Sequence, residues 1–204
     1  MATDPTKLGT VVLATSNRGK LADFQHLFDG TPLEFQLAGD VGVDVDVEET
    51  ELTFKGNALI KARYAAGQTS RAVLADDSGL AVEALDGTPG IYSARYAGPE
   101  CDDDANNRKL LEAMRGVDDR RAAFVCVLAL VLPDGTEITA EGRCEGAVAH
   151  EVSGSNGFGY DVLFYRDDLG RTFGEATPAE KNARSHRAAA VAALIDDLAE
   201  RGLI

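Results

Sequence analysis

The chain has 204 residues, 45% of them hydrophobic and 26% charged, enough for one sizeable domain or one domain in two lobes. Its formal net charge of −14 argues against a duplex nucleic-acid binder, which needs a surplus of Lys and Arg facing phosphates. A small phosphorylated ligand held by a few well-placed cations remains open. Three widely spaced cysteines, Cys101, Cys126 and Cys144, form no CxxC pair and suit a reducing compartment rather than a disulfide framework. The start MATDPTKLGT has no apolar signal core, and the longest apolar run, AAFVCVLALVL, is too short to span a bilayer. A cytoplasmic protein with no membrane and no nucleic-acid partner is the expectation.

In chain order, residues 10–15 read as a buried strand. Residues 18–29 read as a helix with Leu21, Phe24, Leu27 and Phe28 on one face and Gly30 as its stop. LEFQLA (33–38) is a short strand. Residues 53–67 are helical, with Phe54, Ala58, Ile60, Ala62 and Tyr64 among polar positions. RAVLADDSG (71–79) predicts a strand running into an acidic turn, and GLAVEAL a further strand. Residues 102–115 suggest a helix, and 121–132 with 136–150 a hairpin across Asp134-Gly135. Thr177-Pro178-Ala179-Glu180 makes a capping box with Pro at the first helical position, and Val191, Leu194, Ile195 and Leu198 stripe the last helix. Early alternation followed by a hairpin predicts an α/β class with a mixed sheet.

Five segments carry chemistry. LATSNRGK joins a strand to a helix start through a short polar loop, which leaves free N–H groups for an anion. Arg18 and Lys20 oppose the helix dipole there, so they serve either a bound anion or a solvated surface. The match to a P-loop is poor, with one glycine and Leu21 after the lysine. VEETELTF (47–54) and LADDSGL (74–80) are acidic. One glutamate of the first and one aspartate of the Asp76-Asp77 pair would suit Mg²⁺ completed by substrate phosphates; solvating turn acids are the alternative. SGSNGFGYDVLF (153–164) could bring Phe158 or Tyr160 against a flat base, but taken alone it reads as a glycine turn feeding a strand YDVLFY. KNARSHR (181–187) gathers Lys181, Arg184, His186 and Arg187 near a helix start.

TSNRGK, VEETELTFKGNALIKA, ADDSGLAVEALDGTPGIYSARYAG, GFGYDVLF and EKNARSHR stand in this order from about residue 10 to 200. On these motifs the chain resembles the inosine triphosphate pyrophosphatase family, also called the dITP/XTP pyrophosphatases. The resemblance implies an elongated, two-lobed α/β fold over residues 1–204, with a central mixed sheet flanked by helices and a nucleotide cleft between the lobes. It implies Mg²⁺-dependent hydrolysis of ITP, dITP and XTP to the monophosphate and pyrophosphate, usually by a homodimer.

Carried over by position, the loop Thr15, Ser16, Asn17, Arg18, Gly19 and Lys20 is substrate-binding. Within it, Thr15, Asn17 and Lys20 match the phosphate-binding residues, whereas Arg18 matches no assigned role. Lys61 matches a second triphosphate-contacting lysine and Glu49 the metal-binding glutamate. Asp77 matches the general base and metal contact, with Ser78 beside it in substrate binding. Phe158, Gly159, Tyr160 and Asp161 match the base-binding loop, and Lys181, His186 and Arg187 the residues closing over the purine. Gly56 departs from an acidic residue common in the family, and Val162 from a proline; both bear on loop rigidity. The chemistry implied is attack of water on the α-phosphorus with pyrophosphate leaving. Two other readings compete: a pyrophosphatase of the Maf type acting on pyrimidine or modified nucleotides, and a non-catalytic nucleotide sensor.

Overall fold

A computed structural model describes residues 8–204; MATDPTK, the first part of the start examined for a signal core, lies outside them. The strands β1 (Thr10–Leu13), β2 (Glu34–Leu37), β3 (Ala72–Val82), β4 (Arg121–Val131), β5 (Glu137–Val148), β6 (Phe164–Arg166) and β7 (Arg171–Thr172) form one sheet. Its order is β2-β1-β3-β4-β5-β6-β7. β1 runs parallel to both β2 and β3, whereas β5–β6 and β6–β7 are antiparallel, so the sheet is mixed. The helices are α1 (Arg18–Leu27), α2 (Phe54–Ala66), α3 (Asp103–Ala113), α4 (Pro178–Asn182) and α5 (His186–Glu200). Among the described residues no helix is long and apolar enough to cross a membrane.

The chain divides into two compact units. The first comprises Met1–Asp77, Val127–Gly142 and Ala190–Ile204, and the second Ser78–Cys126 and Arg143–Ala189. The long strands β3, β4 and β5 each contribute to both. In the first unit, α2 turns Ala58 and Ala62 toward Ala75, Val127, Ala129 and Val131. Small residues on that face let the helix lie close to the sheet. Phe24 of α1 and Phe28, its C-cap, pack with Phe35 of β2, ring centroids 4.8–6.4 Å apart. The second unit buries Leu80, Leu110, Met114, Phe164 and Phe173 in a core of its own.

Three expectations change. The predicted acidic turn at Asp76-Asp77 does not exist: β3 runs unbroken from Ala72 to Val82 and absorbs the GLAV predicted as a separate strand. It is buried along almost its whole length, and each of the two adjacent mid-strand carboxylates meets a lysine, as described below. YDVLFY is not one strand. Gly157 and Gly159 adopt φ of +77° and +60°, and a 3₁₀ turn over Gly159–Val162 precedes β6. The predicted capping box at Thr177–Glu180 forms, but it starts only the short α4. Ser185 Oγ then accepts from Ala188 N–H at 3.1 Å, as an N-cap does, and a second helix begins.

Candidate active site

The loop after β1 builds its own helix cap. Asn17 Oδ1 accepts from Gly19 N–H at 2.8 Å and Lys20 N–H at 3.3 Å, and Thr15 Oγ1 accepts from Asn17 N–H at 3.2 Å. Two N–H groups expected to face an anion are therefore already taken. Ser16 is exposed. The two cations then part company. Arg18 is 79% exposed and lies 3.4 Å from Asp40, an ordinary surface pair. Lys20 turns inward, its Nζ 2.9 and 3.0 Å from both carboxylate oxygens of buried Asp76.

Asp77, next along β3, meets the other lysine. Lys61 of α2 donates to Asp77 Oδ1 at 3.0 Å and stands 3.3 Å from Glu49 Oε1. One ammonium thus holds two carboxylates from separate segments, while neighbouring Glu48 is exposed. Asp77 Oδ2 is buried and has no hydrogen-bond partner among the described residues. Burial pushes the Asp77 carboxyl above its ordinary range, against the pull of Lys61. Burial alone would lower the Lys61 ammonium, but Asp77, Glu49 and Asp76 together outweigh it and hold the group above its usual value.

The segment carrying Glu49 is seated on the first turn of α2. Thr53 caps the helix by accepting from Gly56 N–H at 3.0 Å, and Asn57 Oδ1 accepts from Glu51 N–H at 3.0 Å. A Cβ at Gly56 would fall 2.5 Å from Glu51 Cβ and 2.6 Å from its Cγ. The absent side chain at 56 is therefore where the Glu51 side chain lies. Val162 packs against the core of the second unit, and its carbonyl accepts from Ser153 N–H at 2.9 Å.

The second unit holds a pocket of about 150 Å³ lined by Ser78, by Phe158 to Asp161, and by Lys181, His186 and Arg187. Phe158 is 64% exposed, with Lys181 Nζ 4.6 Å above its ring centroid. Lys181 also pairs with Asp161, which accepts from Phe158 N–H at 2.8 Å. A Cβ on Gly157 would land 2.1 Å from the Asp161 carboxylate, so that loop closes only around glycine. Tyr160 is buried and donates to Ser93 O at 2.8 Å, which makes it an anchor rather than a stacking ring. The His186 ring stacks on Phe124 with centroids 4.9 Å apart. Arg184 turns instead to Asp168 at 2.6 Å.

The structure thus gathers Lys20, Glu49, Lys61, Asp76 and Asp77 in the first unit. Ser78, Phe158 to Asp161, Lys181, His186 and Arg187 gather in the second. Arg18 joins neither. Ser93, Asp103 and Phe124 also line the pocket, and sequence reasoning passed over all three. Phe124 lies within an apolar strand run and Asp103 at an ordinary helix start, so neither carried a signal; Ser93, in the 3₁₀ turn Gly90–Arg95, falls inside a quoted family motif but was given no role of its own.

Fold and site together define a mixed-sheet α/β protein with an acid–lysine cluster on β3 and an aromatic, cation-bearing pocket. The model of the Ham1 family matches residues 11–197. A dITP/XTP pyrophosphatase of Pectobacterium atrosepticum is 49% identical over 192 residues, 92% of this chain and 97% of the relative. A solved HAM1 protein from Coxiella burnetii superposes with a TM-score of 0.88 at 44% identity, covering 95% of this chain and 100% of its own. The Ham1 protein of Staphylococcus aureus gives a TM-score of 0.87 at 41% identity, covering 94% and 99%. The chain belongs to the Ham1 family.

Proposed function

We propose that the chain is a nucleoside-triphosphate pyrophosphatase that converts ITP, dITP and XTP to the monophosphate and pyrophosphate. Membership of the Ham1 family and the dITP/XTP pyrophosphatase name of its relative support the reaction class. The observation that carries the chemistry is the Lys61 ammonium shared by Glu49 and Asp77, with Asp77 Oδ2 left without a partner among the described residues.

Asp77 orients the attacking water and accepts its proton through Oδ2, and the bond from the α-phosphorus to the bridging oxygen breaks as pyrophosphate leaves. Lys20 and Lys61 offset charge on the leaving group. Thr15, Asn17 and Lys20, with Ser16 and Gly19 of the same loop, bind phosphate, and Ser78 contacts substrate. Phe158 to Asp161 receive the base. Lys181, with His186 and Arg187, closes over it and donates to the 6-keto oxygen of hypoxanthine or xanthine. Adenine presents an amino donor there and leaves these donors unpaired, which a hydrogen-bonding site rejects strongly.

The donor set also fits Mg²⁺. Glu49 and the unpartnered oxygen of Asp77 supply one or two carboxylates, the number Mg²⁺ takes when substrate phosphates and water complete its shell. When bound, Mg²⁺ supplies charge neutralisation at the phosphates and lowers the pKa of water. A cytoplasmic homodimer completes the proposal.

The test is product analysis on ITP, XTP, GTP, ATP, UTP and dTTP, with and without Mg²⁺. Pyrophosphate release from ITP and XTP, dependent on Mg²⁺ and at least about 100-fold above ATP in kcat/KM, is the expected result. Orthophosphate release, or a preference for UTP and dTTP, would overturn it.

A further inference from the structure

Gly159, within the pocket-lining loop, is gripped on both its polar atoms by α3. Its N–H donates to Asp103 Oδ2 at 2.7 Å, and its carbonyl accepts from Asn107 Nδ2 at 2.9 Å. Asp103 and Asn107 are one helical turn apart and share a face of α3. The adjacent Asn106 does the same for another wall. Its Oδ1 accepts from Ala97 N–H at 2.6 Å and its Nδ2 donates to Ala94 O at 2.9 Å, where Ala94 also lines the pocket.

Both asparagines are almost fully buried, at 2% and 4% exposure. Gly159 fixes the orientation of Asn107, because a flipped amide would set two oxygens against each other. With Nδ2 so engaged, Asn107 Oδ1 is buried and has no partner among the described residues. Helix packing alone would be served better by an apolar side chain of that size, which leaves no orphaned acceptor. Gly159 also holds a left-handed φ of +60° and opens the 3₁₀ turn that carries Tyr160 and Asp161. A shift of this one peptide therefore moves the loop from Phe158 to Asp161.

We propose that Asp103 and Asn107 are positioning residues that set purine affinity and selectivity by clamping Gly159. This rests on the reading of the 158–161 loop as the base site. They act on the loop rather than on the reacting phosphate, so the effect belongs in KM and base preference rather than in kcat.

The test compares Asp103→Ala, Asp103→Asn and Asn107→Leu with the wild-type chain. It measures kcat and KM for ITP and ATP, calorimetric affinity for inosine monophosphate, and thermal midpoint. Asp103→Ala and Asn107→Leu should raise the ITP KM and weaken monophosphate binding about tenfold, with kcat within about threefold, since small misplacements of contact groups have effects of this order. The ITP-over-ATP preference should fall by a similar factor. Asp103→Asn keeps an oxygen to accept from Gly159 N–H and should behave as wild type. If Asn107→Leu fails to fold, the Asp103 pair decides the matter alone. Unchanged KM and binding in Asp103→Ala would overturn the clamp, as would a loss confined to kcat. So would an Asp103→Asn as impaired as the alanine, since charge rather than the hydrogen bond would then be acting. A wild-type chain that neither binds inosine monophosphate nor turns over ITP would overturn the base-site reading itself, and the clamp with it.

Discussion

Arg18 and Lys20 stand two residues apart on α1, yet Arg18 faces solvent beside Asp40 while Lys20 grips buried Asp76. An exposed pair contributes about 0–1 kcal/mol, so Arg18→Met should leave both stability and turnover near wild type. Lys20→Met leaves the Asp76 carboxylate without its lysine. It should lower stability by about 3 kcal/mol in urea unfolding and abolish most turnover. Equal effects of the two substitutions would contradict these roles. Asp77 yields a second contrast. A carboxyl whose folded pKa lies above its unfolded value contributes stability below the unfolded pKa and loses it as pH rises through the folded one. Asp77→Asn should therefore gain stability relative to wild type as pH rises above the ordinary carboxyl range, while turnover falls roughly 10²–10⁴-fold. Thermal midpoints at pH values above that range check the first half, and a gap that narrows with rising pH would contradict it.

At the scale of elements, the contact between the Glu49 segment and α2 is a matter of fit. Because a Cβ at 56 would meet Glu51 Cβ itself, Gly56→Ala forces the segment to move, although alanine is the better helix former. The single substitution should cost about 1–3 kcal/mol and reduce turnover. Adding Glu51→Gly should restore much of both, with a coupling of about 1 kcal/mol or more in a double-mutant cycle. Strict additivity would show that the two positions do not compete for space. This contact was invisible in the sequence, where Gly56 stood only as a departure from an acidic family residue. The β3 acids were misread for a related reason. Asp-Asp-Ser-Gly has the chemistry of a turn, whereas lysines arriving from α1 and α2 meet its acids within the strand. Likewise the alternating aromatics of YDVLFY suggested a strand, whereas positive φ at Gly157 and Gly159 gives a turn instead. Apolar periodicity, by contrast, was enough to locate α1, α2, α3 and the β4–β5 hairpin. Those elements owe their form to local pattern and burial, not to distant partners.

Across the whole molecule, a chain of net charge −14 keeps a carboxylate on each of its three site lysines. Lys20 holds Asp76, Lys61 holds Glu49 and Asp77, and Lys181 holds Asp161. On the proposed function, a triphosphate would compete with the protein's own acids for Lys20 and Lys61. A divalent cation taken up by Glu49 and Asp77 would relieve that competition and so would tie substrate binding to the ion. The family motifs in the sequence named most of these groups but could not show that they are paired with one another. The reaction class is decided by where water attacks. Hydrolysis of ITP in ¹⁸O-labelled water, with products resolved by mass spectrometry, tests it most directly. Attack at the α-phosphorus gives inosine monophosphate carrying the label and unlabelled pyrophosphate. Label in pyrophosphate, or inosine diphosphate with orthophosphate, would contradict it.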